Sequence, residues 1–433
     1  MNLPATALTQ SHDVRYMYGS PMCHTPPPNQ RVRWLYVDMN SYFASVEQQQ
    51  RPSLRGQPVG IVATKVETTC CIAASYEAKA VGVKTGTGVR EARQLCPGIR
   101  IVEARPKVYV EYHHRIIAAV ESCLHVDHVC SIDEMACKLL GDERQPQRAR
   151  AIAQQVKDAI ARQVGPFVRC SVGVAPSRWL AKMGTELDKP DGLVVLTRDD
   201  MPEALCGLGL TDLCGIAQGM DRRLHLAGVT TVENLCRLSV AELAHIWGSK
   251  VLAQTWHANL RGEEVAWPKT IRRTVGHSHV LPPRWRDDAG SRTVAVRLIH
   301  KAAERMRKIS YTATHLTLGV RLLDGRRYKR RGSLGGGCRD TLTMLHTFEA
   351  LWRHKPPGDA LRVGVVLTGL APDCASTQPL FFRQRQLDQL ADGMDRIDRK
   401  YGRHTVYFGS MFGAATTAPV RISFTQIPEV DEF

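Results

Sequence analysis

An aspartate stands where a short apolar run ends, in the stretch "WLYVDMNSYFASVE" that begins at Trp34. The run before Asp38 is largely apolar and favours β-structure, whereas the residues from Ser41 onward favour a helix that Asn40 or Ser41 can cap. Asp38 is therefore expected at the carboxyl end of a buried strand, where a rigid fold holds side chains open to solvent. A single aspartate in such a position most often only ends its strand.

Two adjacent acids, Asp133 and Glu134, interrupt a second apolar run, "VCSIDEMACKLL". Neighbouring strand residues point to opposite faces, so both acids can reach one site only at a strand end or a bulge. Buried carboxylates are costly without a partner, and a divalent cation supplies one. Mg²⁺ prefers oxygen ligands, and two such ions can clamp an in-line displacement at phosphorus. Asp38 together with these two acids would suffice for such a site.

Composition narrows the class of protein. The chain has 433 residues, enough for about three domains, and a net charge of +16 that favours a polyanionic partner such as nucleic acid. It has no apolar run of about 20 residues and no signal-peptide layout, so we predict a cytoplasmic protein with no membrane partner. We also predict that the protein is monomeric. The 13 cysteines are odd in number and scattered, which predicts free thiols and no structural zinc.

The pattern of apolar residues divides the chain into segments. Residues 1–30 are rich in proline and polar residues and are predicted to be a disordered extension. From Arg31 to about Thr197, strand-like runs alternate with helix-like ones, notably at 107–124 and 147–164. A segment at about 200–265 is predicted to be helical. A third, at about 271–372, carries two apolar strands and two helices, and a tail with one helix follows.

Several motifs resemble those of the Y-family translesion DNA polymerases. "YVDMNSYFASVE" and "SIDEMACKL" are similar to the family's paired carboxylate motifs, and four further stretches follow in the family's order: "AASYEAKAVGVKTGTGVREARQLCPG", "SVGVAPSRWLAKMGTELDKPDG", "LCGIAQGMDRRLHLAGVTTVENL" and "RRTVGHSHVLP". The resemblance covers nearly all of residues 31–410. It implies an α+β multidomain right-hand fold with a ferredoxin-like palm, small fingers, a helical thumb with a helix-hairpin-helix, and an α/β little finger. The implied boundaries are 31–50 and 102–198 for the palm, 51–101 for the fingers, 199–268 for the thumb, 271–372 for the little finger and 373–433 for the C-terminal tail.

The resemblance also implies roles for individual residues. Asp38, Asp133 and Glu134 match the catalytic, metal-binding carboxylates, with the backbone carbonyl of Met39 as a further ligand, and together they would hold two Mg²⁺ ions. The residues implied to contact the incoming deoxynucleoside triphosphate are Tyr42, Phe43, Tyr76, Lys79 and Lys182. Among these, Phe43 would lie against the sugar and exclude ribonucleotides by steric clash.

Three positions in or near the predicted active site depart from the family pattern. Lys79 stands where Arg is common and cannot make the bidentate phosphate contact that Arg makes. Ala73 stands where a Thr hydroxyl is often found. Asn40 replaces a second acid of the DinB-type motif, as it does in UmuC-type members.

Other segments are predicted to handle DNA or a partner. The stretch "GIAQGMDRRLHLAGV" resembles a helix-hairpin-helix whose amides can take a phosphate. A basic stretch beside a predicted hairpin would neutralise duplex phosphates, although it could instead be a solvated loop. Its predicted DNA-binding residues are Arg326, Arg327, Lys329, Arg330 and Arg331. In "TQPLF", Leu380 and Phe381 resemble a sliding-clamp-binding peptide, and the alternative is that they pack the tail onto the little finger.

The sequence therefore predicts a DNA-directed DNA polymerase of the translesion type, acting on primer-template DNA and deoxynucleoside triphosphates in DNA repair. The alternative is a catalytically silent relative that bridges DNA and protein in damage-induced mutagenesis. Such relatives tend to lose the acids. Retention of all three carboxylates favours catalysis.

Overall fold

The computed structural model describes residues 31–266, 271–375, 382–403 and 405–414, together with residues 417, 422, 427, 428 and 430. The chain divides into two compact units, with the boundary between Val265 and Ala266. All twelve cysteines in the described part are free thiols. Within these residues, no helix has the length and apolar character needed to cross a membrane.

A five-stranded sheet forms the centre of the first unit, with the strand order β5-β6-β1-β7-β8. Strand β1 is central and buried along its whole length, as its apolar sequence predicts. It pairs antiparallel with both β6 and β7. The strands of the first unit are β1 (Trp34–Met39), β2 (Val59–Val62), β3 (Cys71–Ala74), β4 (Arg100–Glu103), β5 (His128–Val129), β6 (Glu134–Lys138), β7 (Cys170–Ala175) and β8 (Leu193–Val195).

Helices pack on this sheet, and the first unit also contains a second, smaller sheet. A separate three-stranded sheet, β3-β2-β4, lies in the segment predicted as fingers, with β4 continuing past the predicted boundary at residue 101. Among its described residues, the segment predicted as thumb contains helices and no strand. The helices are α1 (Tyr42–Gln50), α2 (Tyr76–Ala80), α3 (Val89–Leu95), α4 (Pro106–Glu121), α5 (Pro146–Gln163), α6 (Arg178–Leu187), α7 (Glu203–Cys206), α8 (Gln218–Leu226), α9 (Val232–Arg237), α10 (Val240–Trp247) and α11 (Lys250–Asn259).

Side-chain caps start many of these helices but not the helix next to Asp38. The Ser75 and Ser177 hydroxyls accept hydrogen bonds from the first turns of α2 and α6. Ser41 occupies the N-cap position of α1 in a left-handed conformation, φ 47°, and its side chain makes no cap hydrogen bond. The prediction that Asn40 or Ser41 caps this helix through its side chain is therefore wrong.

The second unit is an antiparallel sheet of order β11-β10-β12-β9, with β13 paired to β10. Its core lies between one face of this sheet and the helices α12 and α13. The other face carries the alternate, mostly polar residues of each strand. The elements are β9 (Thr274–Val280), α12 (Asp288–Lys308), β10 (Tyr311–Leu322), β11 (Arg327–Cys338), α13 (Thr341–Trp352), β12 (Ala360–Thr368), β13 (Ala371–Pro372) and α14 (Phe382–Tyr401).

Candidate active site

The three predicted carboxylates come together at the end of β1. Strand pairing sets Asp38 opposite Glu134. Asp133 immediately precedes β6, and its carbonyl oxygen accepts a hydrogen bond of 2.9 Å from the Met39 amide. The two adjacent acids can face one site because the strand begins between them, which avoids burying either one in the core.

Burial and mutual repulsion act on Asp133. Burial, followed by the nearby charges of Asp38 and Glu134, raises the pKa of Asp133, while a hydrogen bond from the Ser131 hydroxyl opposes the shift. The carboxylate is thus held where a further positive charge would stabilise it.

Two lysines lie among these acids. The Lys182 ammonium donates to Asp38 and lies 2.8 Å from Glu134 Oε1. The Lys189 ammonium lies 2.8 Å from Asp38 Oδ2 and 2.8 Å from Glu186 Oε1. Glu186 Oε1 also lies 2.6 Å from the Lys182 ammonium. The site therefore combines four carboxylates with two ammonium groups.

The lysines control the charge of Glu186. Burial alone would raise its pKa, but Lys182 and Lys189 outweigh that effect and lower the pKa of Glu186 to about 2. Glu186 is therefore ionised at neutral pH and can orient both ammonium groups.

Close packing places Lys182. A Cβ added at Gly173 of β7 would collide with the Ala181 carbonyl of α6, so glycine allows the helix to lie directly on the sheet. Sequence analysis named Lys182 but missed Lys189 and Glu186. The signal available for Lys189 was the turn sequence "DKPDG" directly after α6.

The donor set suits Mg²⁺. Asp38, Asp133 and Glu134 offer only oxygen ligands, and Asp133 lacks a cationic partner among the described residues. No three His, Cys, Asp or Glu side chains in the described part of the chain are already arranged around one ion position. The ammonium groups of Lys182 and Lys189 lie between the acids instead. The acids therefore suit Mg²⁺ by their oxygen ligands and by their common location.

An aromatic shelf lies beside the acids. Tyr42 is buried, and its hydroxyl donates to the Tyr109 carbonyl at 2.6 Å. Phe43 is half-buried and stacks on the Tyr109 ring, with a centroid distance of 4.5 Å and an interplanar angle of 16°. Glu47, fully buried, accepts two hydrogen bonds from Arg105 and one from Tyr109, which fixes α1 against α4. Sequence analysis named Tyr42 and Phe43 but missed the supporting residues Glu47, Arg105 and Tyr109.

Tyr76 and Lys79 approach the acids from helix α2. The Lys79 ammonium lies 4.5 Å from the centre of the Tyr76 ring. Burial and then the Asp38 charge raise the pKa of Tyr76 to about 12, so its hydroxyl stays protonated at neutral pH. Burial and then Lys189 lower the pKa of Lys79. Both residues therefore share the electrostatic environment of Asp38.

The predicted basic stretch forms strand β11 rather than a loop. Its residues alternate between the two faces of the sheet, with Tyr328 on the core side and Arg327, Lys329 and Arg331 on the open face. Strand pairing sets Arg327 opposite Arg321, and Arg321 opposite Arg362. The open face thus carries a row of three arginines, of which sequence analysis named one.

Two of the named basic residues lie elsewhere. Arg326 is in the turn before β11, where it pairs with Asp324 at 2.7 Å and donates to the Pro357 carbonyl at 3.0 Å. Alternation places Arg330 on the face opposite to Arg331. Leu380 and Phe381 lie outside the described residues.

Comparisons with known proteins show the family to which the chain belongs. Residues 37–186 match the impB/mucB/samB family, and residues 272–380 match the C-terminal domain of that family. The chain therefore belongs to this family, the Y-family DNA polymerases, which confirms the predicted resemblance.

Individual relatives cover most of the chain. DNA polymerase IV of Moorella thermoacetica is 33% identical over 384 residues, which are 86% of this chain and 94% of that protein. DNA polymerase IV of Pelotomaculum thermopropionicum is 30% identical over 379 residues, with coverage of 86% and 93%. A solved Y-family DNA polymerase chimera of Dbh and Dpo4 is similar in fold, with a TM-score of 0.65, 23% identity and coverage of 78% and 99%. The predicted α+β multidomain fold class is confirmed.

Proposed function

We propose that this chain is a translesion DNA polymerase of the DNA polymerase IV type, which adds deoxynucleotides to a primer opposite damaged template. The observation that carries the proposal is the convergence of Asp38, Asp133 and Glu134 at one end of β1, in a chain that belongs to the Y-family. Its substrates are primer-template DNA and deoxynucleoside triphosphates.

The reaction is an in-line displacement at the α-phosphorus. The primer 3′-hydroxyl loses its proton to solvent, its oxygen forms a bond to the α-phosphorus, the bond to the bridging oxygen breaks, and pyrophosphate leaves. Asp38, Asp133, Glu134 and the Met39 carbonyl would hold two Mg²⁺ ions, which supply activation of the nucleophile and neutralisation of charge on the leaving group.

The chain's own cations bind and orient the triphosphate. Lys182 and Lys189 are ion-paired with the acids at the place that the phosphates must approach, so they can exchange a carboxylate for a phosphate oxygen. Tyr76 keeps its proton and can donate a hydrogen bond, and Lys79 adds a point charge nearby.

Duplex DNA would lie on the open face of the second unit's sheet. The row of Arg327, Arg321 and Arg362, next to Lys329, offers positive charge across three neighbouring strands. Such a surface binds phosphates by charge neutralisation and reads no sequence.

Primer extension by the purified protein tests the proposal. Asp133→Asn or Glu134→Gln should lower the rate of incorporation by at least about a hundredfold, because each would remove a carboxylate that holds the Mg²⁺ ions needed to stabilise the transition state. Affinity for primer-template DNA should be unchanged, since the basic sheet provides it. The exposed acid Asp158 on α5, changed to Asn, is the matched control and should retain full activity.

Two results would contradict this assignment. Near wild-type extension by Glu134→Gln would remove that residue from catalysis. A wild-type protein that binds DNA but incorporates no nucleotide would support the alternative of a silent bridging subunit.

A further inference from the structure

The turn that carries Lys189 is closed in an unusual backbone conformation. Residues 188–192 join α6 to β8, and Asp191 has a positive φ of 61°. A Cβ added at Gly192 would collide with the Asp188 carbonyl, so the turn needs glycine there. Because Lys189 lies within this turn, the position of its ammonium depends on what holds the turn closed.

Asn40 holds the turn from the side of the acids. Its Oδ1 accepts a hydrogen bond of 2.7 Å from the Asp191 amide, and its Nδ2 donates to the Ser171 hydroxyl at 3.0 Å. Ser171 Oγ in turn accepts from the Gly192 amide at 3.3 Å. Asn40 is 3% exposed and directly follows β1, so it ties the strand that carries Asp38 to the turn that carries Lys189.

Lys157 holds the turn from the outer side. Its ammonium lies 2.8 Å from Asp191 Oδ1 and donates to the carbonyls of Asp191, Gly192 and, at 3.3 Å, Cys170. These contacts join α5, β7 and the turn through one side chain that is only 12% exposed. Lys157 makes none of the contacts of the acid cluster itself.

We propose that Asn40 and Lys157 are positioning residues that clamp the 188–192 turn, so that the Lys189 ammonium stays beside Asp38 and is presented to the triphosphate of the incoming nucleotide. The nucleotide part of this inference rests on the proposed function. The amide of Asn40 suits the task because it accepts from Asp191 and donates to Ser171. A carboxylate could only accept, and it would add a further negative charge close to Asp38.

Amide hydrogen exchange tests the clamp without any catalysis. Exchange in residues 188–192 should be faster in Asn40→Ala and in Lys157→Met than in wild type. Asn40→Asp keeps the acceptor for the Asp191 amide and should show an intermediate rate. Arg162→Met, at an exposed position of the same helix as Lys157, is the matched control and should leave exchange unchanged.

Steady-state kinetics tests the consequence for the nucleotide. Asn40→Ala and Lys157→Met should each raise the KM for deoxynucleotides by about tenfold, with kcat changed by less than about threefold, as expected for a lost contribution to substrate binding. The Kd for primer-template DNA should not change. An effect of Lys157→Met should not come from a direct contact with substrate, because the Lys157 ammonium contacts the turn and the Cys170 carbonyl and none of the acids.

Two outcomes would overturn the inference. Unchanged exchange in the turn of Lys157→Met and Asn40→Asp would show that these groups do not hold it, and both variants serve even if Asn40→Ala fails to fold. Faster exchange with an unchanged nucleotide KM would show that the placement of Lys189 does not affect binding. A wild type without incorporation would instead contradict the proposed function, and the exchange result would still decide whether the clamp exists.

Discussion

Phe43 can serve either as a gate for the sugar or as part of the core. It lies on the first turn of α1, close behind Asp38, and stacks on Tyr109 while remaining half-buried. It also packs against a small core cluster formed by Ala44, Val59, Ile61 and Val102. A half-buried aromatic ring close to the acids can contribute to packing and can also block a 2′-hydroxyl, so both roles are compatible with its surroundings.

Phe43→Ala should admit ribonucleotides much more readily while incorporation of deoxynucleotides persists. The reason is that the methyl group of alanine leaves room for the 2′-hydroxyl. Competition between ribo- and deoxynucleotides in primer extension measures the effect. A fully buried phenylalanine would cost about 3 to 5 kcal/mol of stability on the same change, and a half-buried one should cost less.

Phe43→Leu separates the two roles, since it keeps apolar volume but loses the flat ring. We expect it to be nearly as stable as wild type and to accept more ribonucleotides. A clear loss of stability in both variants, with sugar selection unaltered, would assign Phe43 to the core.

A residue of the candidate site could be recognised in the sequence only where its neighbours along the chain mark it. Asp38, Asp133 and Glu134 were identifiable because each charge interrupts an apolar run. Lys189 was missed because its partner Asp38 lies 151 residues away in the chain. The partners of Glu186 are local, but Glu186 joins the site only through the contacts that Lys182 and Lys189 make with Asp38. Asn40 was misjudged as a helix cap, since its true partners, Ser171 and Asp191, lie more than a hundred residues away in the chain.

Strand β11 divides the basic residues into two groups with different surroundings. Arg327, Lys329 and Arg331 lie on the open face, whereas Arg326 is held in the turn by Asp324 and the Pro357 carbonyl. A side chain already engaged in two contacts must break them before it can bind a phosphate. The open-face residues should therefore contribute more to DNA affinity.

Replacing Lys329 or Arg331 by Ala should weaken binding to any DNA sequence and lower the slope of log K against log salt by about one, the effect of one lost phosphate contact. Arg326→Ala is the matched control and should change the slope less. Titration of labelled primer-template at several salt concentrations provides the measurement. Equal effects at Arg326 and Lys329 would contradict a binding surface confined to the open face.

Secondary structure was predictable where propensity and periodicity agree. Helices expected at 107–124 and 147–164 were observed at Pro106–Glu121 and Pro146–Gln163. The apolar strands β10 and β12 were also predicted. Strands β9 and β11 were not, because histidine, arginine and glycine have weak strand propensity there, and pairing with β12 and β10 determines their conformation.

Each of the two compact units contains a buried histidine that makes its stability sensitive to acid. In the first unit, burial lowers the pKa of His113 to about 4. In the second, burial and then Lys301 lower the pKa of His277 to about 3. A histidine with a lowered pKa contributes stability that is complete above its ordinary pKa of 6.5 and is lost as the pH falls below that value.

The second unit also contains an acid, Asp388, whose contribution to stability depends on pH in the opposite direction. Burial and then the charge of Asp340 raise the pKa of Asp388 to about 6. An acid with a raised pKa favours the folded state at low pH and loses that contribution as the pH rises through 6. Asp388 should therefore offset part of the loss caused by His277, as the raised pKa of Asp133 does for His113 in the first unit.

Thermal unfolding between pH 7.5 and 5 should reveal the opposing contributions of His277 and Asp388. Each buried histidine should cost up to about 2 kcal/mol at pH 5, so wild type should lose stability on acidification. His277→Leu removes the acid-sensitive group but keeps Asp388, so its second unit should become more stable, rather than less, as the pH falls. Asp388→Asn is the complementary control and should steepen the loss. The same acid sensitivity in wild type and His277→Leu would show that His277 titrates normally and that its burial does not couple folding to pH.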